Sequence, residues 1–145
     1  MADTNKPGIL VLCTGNSARS QMAEGLLRFH LGDRFEVFSA GTQPSIVRPE
    51  AIAVLAEVGI DISGNRSKSV NEFDGRDIDY VLTVCDNAKE NCPYFPAKTR
   101  LVHHAFDDPA DIEGDPETRV EAFRNVRDKI EVYIKSDFVP NVLGL

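Results

Sequence analysis

No apolar run in this chain approaches the ~20 residues that a membrane-spanning helix needs, so no membrane association is expected. The opening stretch Met1-Ala2-Asp3-Thr4-Asn5-Lys6-Pro7-Gly8 lacks the basic flank and apolar segment of a signal peptide, which makes the cytoplasm the expected compartment. Basic residues are the minority, 16 Lys and Arg against 23 Asp and Glu, for a formal net charge of -7. Nucleic acid is therefore not an expected partner, because phosphate backbones are held by basic patches. Cysteine is scarce and odd in number, at three residues, which fits poorly with a secreted disulfide framework. In a reducing compartment such thiols are more often catalytic, metal-binding or buried. There is no Cys-x-x-Cys pair, and His103 and His104 do not complete a zinc pattern. Neither a metal nor a bound cofactor is expected. Repeats, low-complexity tracts and linker-like stretches are also missing, so residues 1–145 read as one domain, with a monomer as the default state.

What is present is an ordinary globular composition, 42% hydrophobic and 27% charged, in 145 residues. That length supports one compact core. Ile9-Leu10-Val11-Leu12 is a continuous apolar run, as in a parallel strand buried on both faces. After a glycine-containing loop, Met22, Ala23, Leu26, Leu27 and Leu31 recur at helical spacing and stop before Gly32. Phe35 to Ser39 reads as a second strand, and Pro49-Glu50 opens a second helix that Gly59 can close. Tyr80 to Val84 is a third strand and Leu101-Val102 begins a fourth. Asp115-Pro116-Glu117 caps a last helix whose buried stripe is Val120, Phe123, Val126, Ile130 and Tyr133. Alternating strands and helices predict an α/β fold, here a four-stranded parallel sheet with helices on both faces. Ligands of such sheets bind at the carboxyl ends of the strands. Cys13 and Cys85 each follow a strand, so both belong to that edge.

The loop Cys13-Thr14-Gly15-Asn16-Ser17-Ala18-Arg19 joins a strand to a helix N-terminus. A loop of that kind can aim successive N–H groups at a tetrahedral anion. Gly15 permits close approach of the backbone, Asn16 tolerates the left-handed region, and Arg19 supplies a fork for two oxygens. Thr14, Gly15, Asn16, Ser17, Ala18 and Arg19 are thus the expected anion binders, joined by Ser20, whose hydroxyl can also donate to the sulfur. The same positive field favours the thiolate of Cys13, the form that acts as a nucleophile. The Gly-Lys-Ser/Thr ending of a nucleotide-binding loop is missing. Without its context, Cys13 would read as a buried strand-end cysteine before a Gly-Asn turn.

Attack on an oxyanion expels an oxygen, which leaves better when protonated. Asp107-Asp108-Pro109 follows the fourth strand. Two adjacent carboxylates near an anion favour keeping one protonated, and Asp108 is the expected general acid. An Asp-Pro turn is the plainer alternative. Cys85 and Cys92, seven apart in a polar segment, admit two readings beside weak zinc binding. One is packing at a strand end; the other is a relay in which each disulfide is passed to the next thiol. His30, His103 and His104 are assigned no catalytic role.

Taken together these residues resemble the low-molecular-weight tyrosine phosphatases, and within them the thioredoxin-coupled arsenate reductases. The resemblance runs from about Ile9 to about Ile134. It rests on Cys13 through Gly25, on Ser39-Ala40-Gly41, on the Cys85/Cys92 pair and on Phe106-Asp107-Asp108-Pro109-Ala110. It implies that Cys13 attacks arsenate held by the loop and Arg19 while Asp108 protonates the leaving oxygen. Cys85 then attacks Cys13 and releases arsenite, and Cys92 attacks Cys85 to leave a disulfide that reduced thioredoxin reopens. Phosphate is the competing oxyanion. The alternative it implies is a tyrosine phosphatase working through phosphocysteine, although Ala110-Asp111 stand where phosphatases of this fold usually carry aromatic residues. Some relatives hold a potassium ion with residues matching Asn16, Glu24 and Ser39 and an acid near Ser67-Lys68-Ser69. Here Lys68 stands at the acid's place, and its ammonium is expected to replace the ion. No assignment follows for the tail from about Ser136 to Leu145.

Overall fold

The computed structural model describes residues 6–86 and 94–145. Four strands, β1 (Gly8–Cys13), β2 (Glu36–Gly41), β3 (Tyr80–Thr83) and β4 (Arg100–His103), form one parallel sheet in the order β2-β1-β3-β4. The α-helices are α1 (Arg19–Leu31), α2 (Pro49–Ala56) and α3 (Pro116–Tyr133). The architecture is the expected α/β fold. From β1 the chain builds β2 on one side and then crosses to β3 on the other. The switch point therefore lies at the end of β1, beside Cys13.

β1 is buried along its whole length, which is why its sequence shows no polar alternation. Its side chains still alternate between two apolar clusters. Ile9 and Val11 join Leu82 and Val84 against α1 and α3, whose Met22, Leu26, Leu27, Phe123, Val126 and Ile130 complete that core. α2 packs on α1 and α3. Leu10, Leu12 and Val81 face the other way, under a single 3₁₀ turn (Val70–Phe73) and the segment carrying Phe95. Both faces are covered as expected, but among the described residues all three α-helices serve the first.

Two departures from the sequence reading bear on the site and the core. β2 runs to Gly41 because Gly41 still pairs with Cys13. A side chain there is sterically excluded: a Cβ on Gly41 would lie 2.4 Å from the Thr14 carbonyl oxygen and 2.8 Å from that of Cys13. The tail is not loose either. α3 continues into a wider, π-type helix, Ile134–Val142, that contains Pro140. Ile134 and Phe138 are buried in the first core, and such burial contributes about 1.5–3 kcal/mol per large apolar side chain. The wider turn accommodates a residue with no N–H to donate.

Candidate active site

Residues 14 to 18 leave the sheet as a loop held from behind. Each of its carbonyls accepts a hydrogen bond from outside. Thr14 takes Gln43 N–H at 2.8 Å, Gly15 takes the Ser67 hydroxyl at 2.9 Å, and Asn16 takes the Gln21 amide at 3.2 Å. Ser17 takes Arg48 N–H at 2.9 Å and Ala18 takes Met22 N–H at 2.9 Å. With the carbonyls turned outward, the concave side of the loop belongs to backbone N–H groups, the arrangement that binds anions. Ala18 occupies the capping position of α1 without a side-chain cap, so the helix N-terminus adds its positive end to the same side.

Asn16 adopts the left-handed conformation, φ 46°, and its side chain turns away from the cradle into a buried network. Its amide nitrogen donates to Ser20 Oγ at 2.8 Å and to Ser39 Oγ at 2.9 Å. Its Oδ1 accepts from Gln21 Nε2 at 3.0 Å and from Lys68 N–H at 2.8 Å. Ser39 in turn donates to Glu24 Oε1, whose carboxylate is buried and paired with Arg28 at 2.5 Å. Ser20 Oγ lies 2.9 Å from Cys13 Sγ.

The cavity above the loop, about 190 Å³, is lined by Cys13, Thr14, Gly15, Ser17, Ala18, Arg19 and Asp108. Arg19 is nearly inaccessible, donating to the Phe106 carbonyl at 3.3 Å and facing Asp108 Oδ2 at 3.4 Å. Asp108 Oδ1 accepts from Ala110 N–H at 3.0 Å, capping the 3₁₀ turn Pro109–Asp111. The Asp-Pro turn and the expected acid therefore fall on the same residue. Asp107 lines a different and larger cavity, about 570 Å³, between the loop after β4 and α3. That larger cavity contains neither Cys13 nor Arg19; the expected nucleophile and its arginine line the smaller one. The side chains of Asn16 and Ser20, residues expected among the anion binders, lie in the network behind the cradle.

Cys13 is a free thiol, buried at the end of β1. Leu12 pairs with Thr83, and Val84 N–H donates to the Leu12 carbonyl at 2.9 Å. Cys85 follows at once, fully buried and disulfide-bonded, so the sheet brings Cys13 and Cys85 to adjacent strand ends. Cys92 lies outside the described residues. Lys68 Nζ stands 3.9 Å from Glu24 Oε1 and 3.1 Å from the Arg66 carbonyl. Burial pushes its ammonium below the ordinary lysine range, against the opposing pull of Glu24. None of the three histidines lines the cradle; His30 bonds Glu131, His103 bonds Thr83, and His104 stacks on Tyr133.

Several residues of the site have no role that the sequence assigns. Gln43, Arg48 and Ser67 hold the loop carbonyls, and Gln21 and Asn65 pack beneath it. The available signal was on α1, where Ser20, Gln21 and Glu24 interrupt an apolar pattern and are all buried.

A family model described as low molecular weight phosphotyrosine protein phosphatase matches residues 8–138. The arsenate reductase of Halalkalibacterium halodurans is 45% identical over 132 residues, covering 91% of this chain and 95% of that protein. A solved arsenate reductase in the phosphate binding state is 31% identical with a TM-score of 0.68, over 90% of this chain and 95% of its own. The low molecular weight protein tyrosine phosphatase from T. tengcongensis is 26% identical with a TM-score of 0.69, over 90% of this chain and 96% of its own. With that match over almost the whole chain, and a cysteine, arginine and aspartate converging on one small cavity, this enzyme belongs to the low molecular weight phosphotyrosine protein phosphatase family.

Proposed function

We propose that this chain reduces arsenate to arsenite, with Cys13 as nucleophile and Cys13, Cys85 and Cys92 as a thiol relay recycled by reduced thioredoxin. The observation that carries this reading is the placement of Cys13 and Cys85 at the ends of adjacent strands, which a hydrolase does not require. The similarity to proteins named arsenate reductase supports it independently.

In the first step the Cys13 thiolate attacks arsenic(V) held by the loop N–H groups and Arg19. A sulfur–arsenic bond forms, and one oxygen departs as water with a proton from Asp108. In the reduced enzyme the Cys85 thiolate then attacks Cys13 Sγ. The electron pair of the sulfur–arsenic bond stays on arsenic, which leaves as arsenite, and a Cys13–Cys85 disulfide remains. Cys92 attacks Cys85, restoring the Cys13 thiolate, and the dithiol of thioredoxin reduces the final Cys85–Cys92 disulfide. Each turnover moves two electrons from thioredoxin to arsenic. The complete burial of Cys85 favours a relay partner inside the protein over a thiol arriving from solvent.

The cavity supports a small inorganic oxyanion as substrate. It is about 190 Å³ and no aromatic side chain lines it, so an aryl phosphate finds no ring to stack against. Phosphate has the same shape and charge and competes for the loop.

The residues behind the loop do not fit a potassium ion. The Lys68 ammonium already faces the Glu24 carboxylate, and a second cation there would meet like charge. The Lys68 ammonium takes the ion's place beside Glu24, to which Ser39 and through it Asn16 are hydrogen-bonded.

The test is arsenate-dependent NADPH oxidation through thioredoxin and thioredoxin reductase, with Cys92→Ser as the control. Turnover that vanishes in the control is the expected result. Hydrolysis of aryl phosphates without arsenate-dependent oxidation would assign the loop to a phosphatase and overturn the relay.

A further inference from the structure

Gln21 is fully buried, yet it touches neither the anion cavity nor the sulfur. Its amide nitrogen faces three acceptors: the Asn16 carbonyl at 3.2 Å, Asn16 Oδ1 at 3.0 Å and the Arg66 carbonyl at 3.1 Å. Its own Oε1 accepts from Asn65 Nδ2 at 3.0 Å. Two of the three acceptors are backbone carbonyls, which never donate, so the Gln21 amide has only one possible orientation. That orientation propagates. Asn16 must present Oδ1 to Gln21, and it does so beside the Lys68 N–H at 2.8 Å. Its nitrogen then points at Ser20 and Ser39. Ser20 Oγ, already receiving a proton from Asn16, has its own proton free for Cys13 Sγ at 2.9 Å.

We propose that Gln21 is a positioning residue that fixes the direction of this hydrogen-bond chain, so that Ser20 donates to the Cys13 thiolate. Asn65 and the Arg66 carbonyl hold Gln21 in place, tying residues 65–66 to the nucleophile across the base of the loop. The proposal rests on Cys13 being the nucleophile, but not on what the nucleophile attacks.

A carboxylate at position 21 reverses the logic. It cannot donate to the Asn16 and Arg66 carbonyls, and it repels Asn16 Oδ1. Asn16 is then driven to turn its amide, offering Oδ1 to Ser20, whose proton goes to Asn16 and not to sulfur. The charged groups facing the thiol, Arg19 and Asp108, stay the same in such a variant.

The experiment is the pH profile of iodoacetamide alkylation of Cys13, followed by peptide mass on the reduced full chain, for wild type, Gln21→Glu and Gln21→Met. Thermal unfolding of each variant is recorded alongside. The expected result is an upward shift of the alkylation midpoint by about one pH unit in Gln21→Glu. A smaller shift in the same direction is expected in Gln21→Met, which keeps the Lys68 donor. If Gln21→Glu does not fold, Gln21→Met is judged by the same criterion. A folded variant with a lowered unfolding temperature and an unmoved midpoint reduces Gln21 to a packing residue and overturns the proposal. Because alkylation needs neither arsenate nor thioredoxin, failure of the reductase reading would leave this result standing.

Discussion

Ser20 Oγ lies between two fixed partners, 2.8 Å from the Asn16 amide nitrogen and 2.9 Å from Cys13 Sγ. It accepts from the first, and toward a Cys13 thiolate, which has no proton to give, it can only donate. A hydrogen bond to a charged group contributes about 1.5–3 kcal/mol, and each ~1.4 kcal/mol is a factor of ten in the thiolate fraction. Ser20→Ala is therefore expected to slow turnover about tenfold at neutral pH. Its rate should recover as pH rises and the thiolate forms without help. A uniform loss across pH in rapid single-turnover measurements would show that the hydroxyl acts on something other than the sulfur.

Asp108 meets Arg19 at 3.4 Å while its other oxygen is spent on Ala110 N–H. With Oδ1 committed to the turn, Oδ2 is the oxygen left to carry a proton to the departing group. Asp108→Asn keeps the cap on the 3₁₀ turn but removes the acid. A rate loss of about 10²–10⁴ is expected, the usual contribution of a positioned general acid. Phosphate binding, read by calorimetry, should be kept or tightened, because Arg19 loses a competing carboxylate. Weakened phosphate binding together with an unchanged rate would remove Asp108 from the chemistry.

The groups that line the small cavity were legible in the sequence because the chemistry expected of them is tied to spacing. A thiol at a strand end, a glycine-bearing loop and an arginine at the first helical position can be read without coordinates. The supporting groups were less so. Ser67, Gln43 and Arg48 reach the loop from segments with no regular period, and nothing in their spacing reports the carbonyl each one bonds. Ser39-Ala40-Gly41 was noticed as a motif, but the reason for Gly41, the contact with the Thr14 carbonyl, exists only in three dimensions. The thin second face of the sheet was hidden similarly, because Phe73, Ile78 and Phe95 come from short turns and loops. In the tail, Pro140 masked the buried Phe138, since a proline ordinarily argues against helix.

Glu57, at the end of α2, is held by two arginines of α3. Arg124 donates to its two oxygens at 2.9 and 2.6 Å, and Arg127 donates at 2.8 Å. Hydrogen bonding from Arg124 leads in drawing its carboxyl down from 4.5 to about 2. The folded form thus keeps the charge that the unfolded chain surrenders near its ordinary value. The stabilisation is fully present above pH ~4.5 and is lost as pH falls from there through about 2. Glu57→Gln should flatten the decline of unfolding temperature across that acid window while leaving the neutral-pH rate unchanged. An identical acid slope in the two proteins would mean that solvent screening cancels the pair.

Among the described residues, Lys68 is the one cation whose nitrogen stands within 4 Å of the Glu24 carboxylate from the loop side, at 3.9 Å, while Arg28 holds the other oxygen at 2.5 Å. An ammonium there is tethered and always at hand, so potassium has nothing to add. Turnover of the wild-type enzyme is expected to be equal in potassium and sodium chloride at matched ionic strength. Lys68→Ala should leave Glu24 with Arg28 and Ser39 but without its loop-side cation, loosening Ser39 and Asn16 and lowering kcat/KM by up to about tenfold, since the buried carboxylate keeps its desolvation cost with less charge to offset it. Potassium should then recover part of that loss and raise the unfolding temperature of the variant, as any ligand of the folded state alone must. Potassium activation of the wild type would show that the ammonium leaves room for the ion, and the assignment of Lys68 as its replacement would have to be abandoned.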